Sequence, residues 1–181
     1  SGKTELYLEA ARRVLKQDKQ VLIMLPEITL TQQFIKIFRS RFKNQIGEWH
    51  SGMSEGNRKQ VWFDTLNKKN RLIVGARSSL FLPFADLGLI VVDEEHDQSY
   101  KQDEGIIYNA RDMAVLRAKQ LKASCILSSA TPSVETFENV ISKKFNRAIL
   151  NKRFYGTKLP AISCIDMRDA EKGMNSFLQI G

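Results

Sequence analysis

Apolar residues Tyr7, Leu8, Ala11, Val14 and Leu15 recur at the spacing of one helical face and predict a helix over 4–16. The unbroken run Val21-Leu22-Ile23-Met24-Leu25 follows at once and predicts a buried strand. A second apolar face, Leu30, Phe34, Ile37 and Phe38, predicts a helix over 30–42, followed by a short strand over 46–50. A helix over 58–66 and a strand over 72–75 come next. Residues 87–92 are almost wholly apolar and rich in branched side chains, which suits a strand covered on both faces of a parallel sheet, and the run ends in acid at Asp93. A helix over 110–121, a strand over 124–127 and a helix over 134–141 continue the alternation. Strands alternating with helices predict an α/β fold of three layers with a mainly parallel central sheet, in which ligands gather at the carboxyl ends of the strands. From about Asn146 the pattern weakens: 147–150 and 162–165 read as strands and 169–181 as a frayed tail, with no internal repeat or low-complexity block anywhere.

The length of 181 residues suits one domain. No apolar run approaches the roughly 20 residues of a membrane span, and the chain opens on Ser1-Gly2-Lys3-Thr4 with no charged-then-apolar leader, so an excised soluble fragment with no membrane partner is expected. The formal charge of +8 favours a polyanionic partner, although a merely basic solvated surface would carry the same charge. The two cysteines, Cys125 and Cys164, are far apart in apolar stretches. They suggest neither a metal site nor a disulfide framework, but reduced, buried thiols in a cytoplasmic protein.

Candidate chemistry lies at two places. Gly2-Lys3-Thr4 at the start of a helix has the form of the back half of a phosphate-binding loop: backbone N–H groups cradle phosphate, Lys3 meets its charge, and Thr4 offers a hard oxygen to Mg²⁺. The tripeptide alone is equally a plain helix start capped by Ser1 or Thr4. Asp93-Glu94-Glu95-His96 directly follows the most apolar strand. A carboxylate at a strand end can hold Mg²⁺ through water, and the next can orient and deprotonate an attacking water. Asp93 is thus the expected magnesium partner, Glu94 the base, and His96 a link from nucleotide to later segments.

With these residues the chain resembles superfamily 2 helicases of the DExH type. The segments stand in the family's order: Ser1-Gly2-Lys3-Thr4, Leu25-Pro26-Glu27-Ile28-Thr29-Leu30-Thr31, His50-Ser51-Gly52, Gly75-Ala76-Arg77-Ser78-Ser79-Leu80-Phe81, Asp93-Glu94-Glu95-His96 and Ser129-Ala130-Thr131-Pro132-Ser133. The wording of several, and Ser99-Tyr100-Lys101-Gln102 after the acidic turn, resembles the bacterial replication-restart helicases of the primosome in particular.

That resemblance implies a RecA-like P-loop NTPase fold, with 1–168 as the first motor domain, cut within its phosphate loop, and 169–181 leading toward a second. It implies ATP and Mg²⁺ as cofactors, with Ser1, Gly2, Lys3, Thr4 and His96 at the nucleotide and Thr4 and Asp93 at the metal. Zinc is implied for the parent protein outside this chain. Thr29, Thr31, Arg77 and Ser78 are implied contacts to the backbone of single-stranded DNA, and small hydroxyls with an Arg at strand ends suit phosphate without reading bases.

Tyr100, Lys101, Tyr108 and Arg111 correspond to a loop that touches DNA and reports to the ATP site, although Ile106-Ile107 and Asn109 depart from its aromatic and basic pattern. Ser129 and Thr131 are implied to couple hydrolysis to movement, and a strand-to-helix cap by Thr131 or Ser133 would look the same. Implied partners are single-stranded and forked DNA, primosome proteins and single-strand-binding protein. The fragment alone is expected to fold but barely hydrolyse ATP, since the family's second lobe supplies an arginine finger. Rival readings are the lobe of a branch-migration or restriction translocase, a catalytically dead DNA- or partner-binding module, and a small-molecule phosphotransferase.

Overall fold

Elements alternate along a computed structural model that describes residues 2–42 and 46–150. They are α1 (Gly2–Lys16), β1 (Gln20–Met24), α2 (Gln32–Phe42), β2 (Ile46–Trp49), α3 (Glu55–Leu66), β3 (Leu72–Gly75), β4 (Leu87–Asp93), the short strands β5 (Lys101–Gln102) and β6 (Tyr108–Asn109), α4 (Ala110–Leu121), β7 (Ser124–Ser128) and α5 (Val134–Ile141). Five strands form one sheet in the order β2-β3-β1-β4-β7, every neighbouring pair parallel. β5 and β6 make a separate antiparallel hairpin.

Successive strand residues point to opposite faces, and both faces of β1 and β4 are covered. Val21, Ile23, Leu89 and Val91 pack with Tyr7, Leu8 and Ala11 of α1 and with Ile35 and Phe38 of α2. Leu22, Met24, Ile90 and Val92 pack on the other face with Ala110, Ala114 and Ala118 of α4. The alanines recur every fourth residue, so α4 presents a stripe without bulk to the sheet. Two apolar layers around a parallel sheet are what the unbroken hydrophobic runs predict.

The amino-terminal end of β1 is fixed by polar bonds. The buried Gln20 amide donates to the carbonyls of Thr65 (2.8 Å) and Asn70 (3.1 Å) and accepts from the N–H groups of Ala85 (2.9 Å) and Asp86 (3.1 Å). Every hydrogen-bonding position of the side chain is filled.

Local chemistry explains where boundaries differ from the sequence pattern. α3 starts earlier than the apolar spacing suggests, because Ser54 caps it by accepting from Asn57 N at 3.3 Å and Glu55 sits in its first turn. Replacing Ser54 by Ala is expected to cost about 1 kcal/mol, read as a lower urea midpoint with an unchanged slope. α2 starts later, because Glu27–Thr29 forms a 3-10 turn and the Thr31 hydroxyl then accepts from Phe34 N at 3.2 Å.

The predicted strand over 147–150 does not form: the segment joins no strand among the described residues, and Ile149 and Leu150 stay exposed. The predicted strand over 162–165, Cys164, the tail over 169–181 and Ser1 lie outside the described residues. Cys125, a free thiol in β7, is pushed up to about 12 by burial and is therefore a poor nucleophile. Among the described residues no helix is long and apolar enough to cross a membrane.

Candidate active site

The chain lays β2 and β3 on one side of β1, then crosses to place β4 on the other. This reversal opens a crevice beyond the carboxyl ends of β1 and β4, where ligands of open α/β sheets bind. The first turn of α1 faces the crevice: Lys3 Nζ reaches Glu94 Oε1 at 2.8 Å, joining the two segments that the sequence singled out.

Asp93, the last residue of β4, is nearly buried at 7% exposure and held from three directions. Its Oδ1 accepts from Ser128 Oγ (2.9 Å) and from Glu94 N (3.0 Å), and its Oδ2 accepts from the Tyr7 hydroxyl (3.0 Å). Three donors from α1, β7 and the adjoining turn hold the carboxylate fixed in angle. Burial first, then the Asp93 charge, push the Tyr7 phenol above its ordinary range, so it remains a donor.

Glu94 stands in left-handed backbone, with φ of 44°. Such a conformation in a residue with a Cβ costs of order 1–3 kcal/mol and persists where neighbours over-determine it. Asp93 anchors one side and Glu95 the other. Glu95 is 2% exposed. It accepts from Ser133 N (2.8 Å), Ser133 Oγ (3.0 Å), Thr136 Oγ1 (2.9 Å) and Arg111 Nη1 (3.4 Å). The turn after β4 is thereby tied to the start of α5, which Ser133 caps. His96 Nδ1 lies 2.7 Å from Ser129 Oγ and 3.7 Å from Glu94 Oε2, while Ser129 Oγ also accepts from Thr131 N at 3.0 Å.

Lys3, Asp93, Glu94, His96 and Ser129 thus converge, with Thr131 one bond further out and Thr4 beside the Tyr7 hydroxyl. Gly2 opens α1. Tyr7, Ser128 and Glu95 were not legible as site residues. Tyr7 follows Lys3 by one helical turn in an apolar stripe and reads only as core, while Glu95 stands beside two acids that already had roles.

The expected DNA contacts divide. Arg77 is half-buried and donates to the carbonyls of Lys101 (2.7 Å) and Ser99 (3.3 Å), while the exposed Ser78 accepts from Trp49 Nε1 at 3.1 Å. The Thr29 hydroxyl donates back to Pro26 O at 2.6 Å and Thr31 caps α2, so both serve their own turns. Glu27 accepts from the backbone and hydroxyl of Ser51, binding the turn after β1 to the turn after β2, and the hydroxyl bond holds its carboxyl below the usual range. Lys101 is exposed and pairs with Asp103 at 3.1 Å, and Tyr108 packs its ring edge-to-face on Phe81 at 5.3 Å.

Two expectations need correction. Tyr100 presents no face to bases: a 3-10 turn at Gln98–Tyr100 folds it inward to 1% exposure, and its hydroxyl donates to Asp93 O (2.7 Å) and Met24 O (3.0 Å). Arg111 is 6% exposed and spends its guanidinium on Asp112 (2.8 Å), Ser133 Oγ (2.7 Å) and Glu95 (3.4 Å), so it is turned inward rather than offered to a DNA backbone.

Comparison with known proteins gives the family and the fold. A family model for the DEAD/DEAH box helicase matches residues 1–140. Replication restart protein PriA of Rickettsia conorii is 47% identical over 178 residues, covering 98% of this chain and 28% of that protein. The protein of the same name from Bacillus subtilis is 39% identical over 175 residues, 97% of this chain and 22% of its own length. The chain therefore spans about a quarter of the length of these curated relatives. Among solved structures, the SWI2/SNF2 ATPase C-terminal domain of Sulfolobus solfataricus is similar at a TM-score of 0.51 and 12% identity, covering 80% of this chain and 57% of that one. That likeness is one of fold alone, the RecA-like three-layer arrangement around a mainly parallel sheet. With the segments in order and Lys3 meeting the Asp93-Glu94 turn at one sheet end, the chain belongs to the DEAD/DEAH box helicase family.

Proposed function

We propose that this chain is the first motor lobe of an ATP-driven DNA helicase that moves along single-stranded DNA during replication restart. The observation that carries the reading is the meeting of Lys3 and Glu94 at 2.8 Å beside the fixed Asp93, at the mouth of the sheet. A magnesium triphosphate fits this set. Mg²⁺ takes one or two protein oxygens plus substrate phosphates rather than a full protein cage, and among the described residues no three His, Cys, Asp or Glu side chains group as a cage. Thr4 and Asp93 would hold the metal, with Gly2, Lys3, the segment before them and His96 at the nucleotide. Bound in this way, the magnesium nucleotide supplies a polarised terminal phosphate bond.

The chain's own residues divide the remaining work. Backbone N–H groups at the start of α1 present partial positive charge to phosphate. Lys3 leaves Glu94 for phosphate oxygen, and the freed carboxylate orients a water and accepts its proton. His96 passes the state of that turn to Ser129, and thence to Thr131.

The surface for DNA is the row of turns at the same sheet end, with Arg77, Ser78, Thr29, Thr31, Lys101 and Tyr108. The net charge of +8 supports a phosphate backbone as the ligand. Arg77 also ties this row to Ser99 and Lys101, just beyond the acidic turn, which offers a route from DNA to the catalytic carboxylates. Forked DNA, primosome proteins and single-strand-binding protein are the partners proposed for the full-length protein, with its zinc held outside this lobe and its work in the cytoplasm.

The test is ATP hydrolysis by the full-length protein with and without single-stranded DNA. Strong stimulation is expected, and a rate indifferent to DNA would remove the reading. Arg77→Ala is expected to raise the DNA concentration for half-maximal stimulation about tenfold, the weight of one charge-assisted contact. It should also lower the salt slope of binding by about one.

A further inference from the structure

Tyr7 is a core tyrosine whose hydroxyl has an unusual address. Its ring is wholly buried among the apolar residues between α1 and the sheet. Buried phenols need a partner, and the neighbouring Tyr100 finds ordinary ones in two backbone carbonyls. Tyr7 instead donates to Asp93 Oδ2 at 3.0 Å, while Thr4, three residues earlier on α1, lies beside the same hydroxyl. The opposite oxygen of Asp93 is held by Ser128 and by Glu94 N. The carboxylate therefore cannot swing, and without the Tyr7 bond only one of its two oxygens would be fixed.

We infer that Tyr7 is a positioning residue for the metal site: its phenol fixes the angle of the Asp93 carboxylate, and so sets how tightly magnesium joins the nucleotide. The inference rests on the proposed reading of Thr4 and Asp93 as the two protein groups flanking magnesium. Its physical basis is that groups hydrogen-bonded to a metal-holding carboxylate orient it ahead of binding, and that losing one typically costs 10–100-fold in metal affinity or activity.

The experiment is a binding titration on the full-length protein, independent of turnover. Fluorescent methylanthraniloyl-ADP is bound at a series of magnesium concentrations and again in chelator, for the unmodified protein, Tyr7→Phe and Asp93→Asn. Tyr7→Phe keeps the ring and removes one oxygen. It is expected to raise the magnesium midpoint about tenfold while leaving metal-free nucleotide affinity unchanged. Asp93→Asn should abolish the magnesium-dependent gain. A Tyr7→Phe protein with an unchanged or lower midpoint would overturn the inference, whatever happens to its melting temperature. If Asp93→Asn still abolishes the gain, the reading of the site survives that failure; if Asp93→Asn keeps the gain, the site reading falls and the inference with it. Should Tyr7→Phe fold poorly at the assay temperature, the titration is run below its melting temperature, where the same rise of about tenfold is expected and an unchanged midpoint overturns the inference.

Discussion

Glu94→Gln in the full-length protein is expected to lower DNA-stimulated ATP turnover by about 10²–10⁴, the usual contribution of a positioned general base, while nucleotide binding persists. The amide has nearly the shape of the carboxylate, so the turn and its left-handed backbone are retained, but it takes no proton from water. Binding should hold or tighten, because Lys3 now spends its charge on Glu94 at 2.8 Å and an amide releases it. Single-turnover hydrolysis beside a fluorescent nucleotide titration separates the two quantities. Turnover equal to that of the unmodified protein would take the catalytic role away from Glu94.

Arg111→Ala should act on the fold rather than on DNA. Removing one partner of a buried ion pair costs about 3–5 kcal/mol, because the remaining charge is stranded. Glu95 has side-chain exposure of 1% and Arg111 of 7%. Ser133 and Thr136 still donate to Glu95 after the change, so about 3 kcal/mol, the low end of that range, is expected as a loss of urea stability. At temperatures where the variant remains folded, its affinity for single-stranded DNA should equal that of the unmodified protein. A stable variant with weakened DNA binding would restore Arg111 to the DNA surface and contradict its buried placement.

The difference between Arg111 and Lys3 illustrates what the amino-acid order can disclose. Lys3, Asp93 and Glu94 were legible because each stands at a boundary that hydrophobic spacing locates, a helix start or the end of an apolar strand, and such boundaries meet at one sheet end in an α/β fold. The two covered faces of β1 and β4 were legible for the same reason, as unbroken apolar runs. Tyr100 and Arg111 lie in a polar stretch with no periodicity, where exposure is the natural reading. Their burial is decided by a three-residue 3-10 turn and by an ion pair across 16 positions, neither of which leaves a repeating signal. Tyr7 fails in the opposite direction. Its apolar stripe is real, but the stripe says nothing of which polar atom its hydroxyl will meet.

The φ of 44° at Glu94 narrows what evolution can do at that position. Glycine or asparagine would sit in that backbone more comfortably, yet neither could serve as the base proposed for this position. Drift toward a relaxed main chain and retention of the chemistry therefore pull against each other at a single codon, and the hydrogen bonds that hold Asp93 and Glu95 on either side let the less comfortable residue endure.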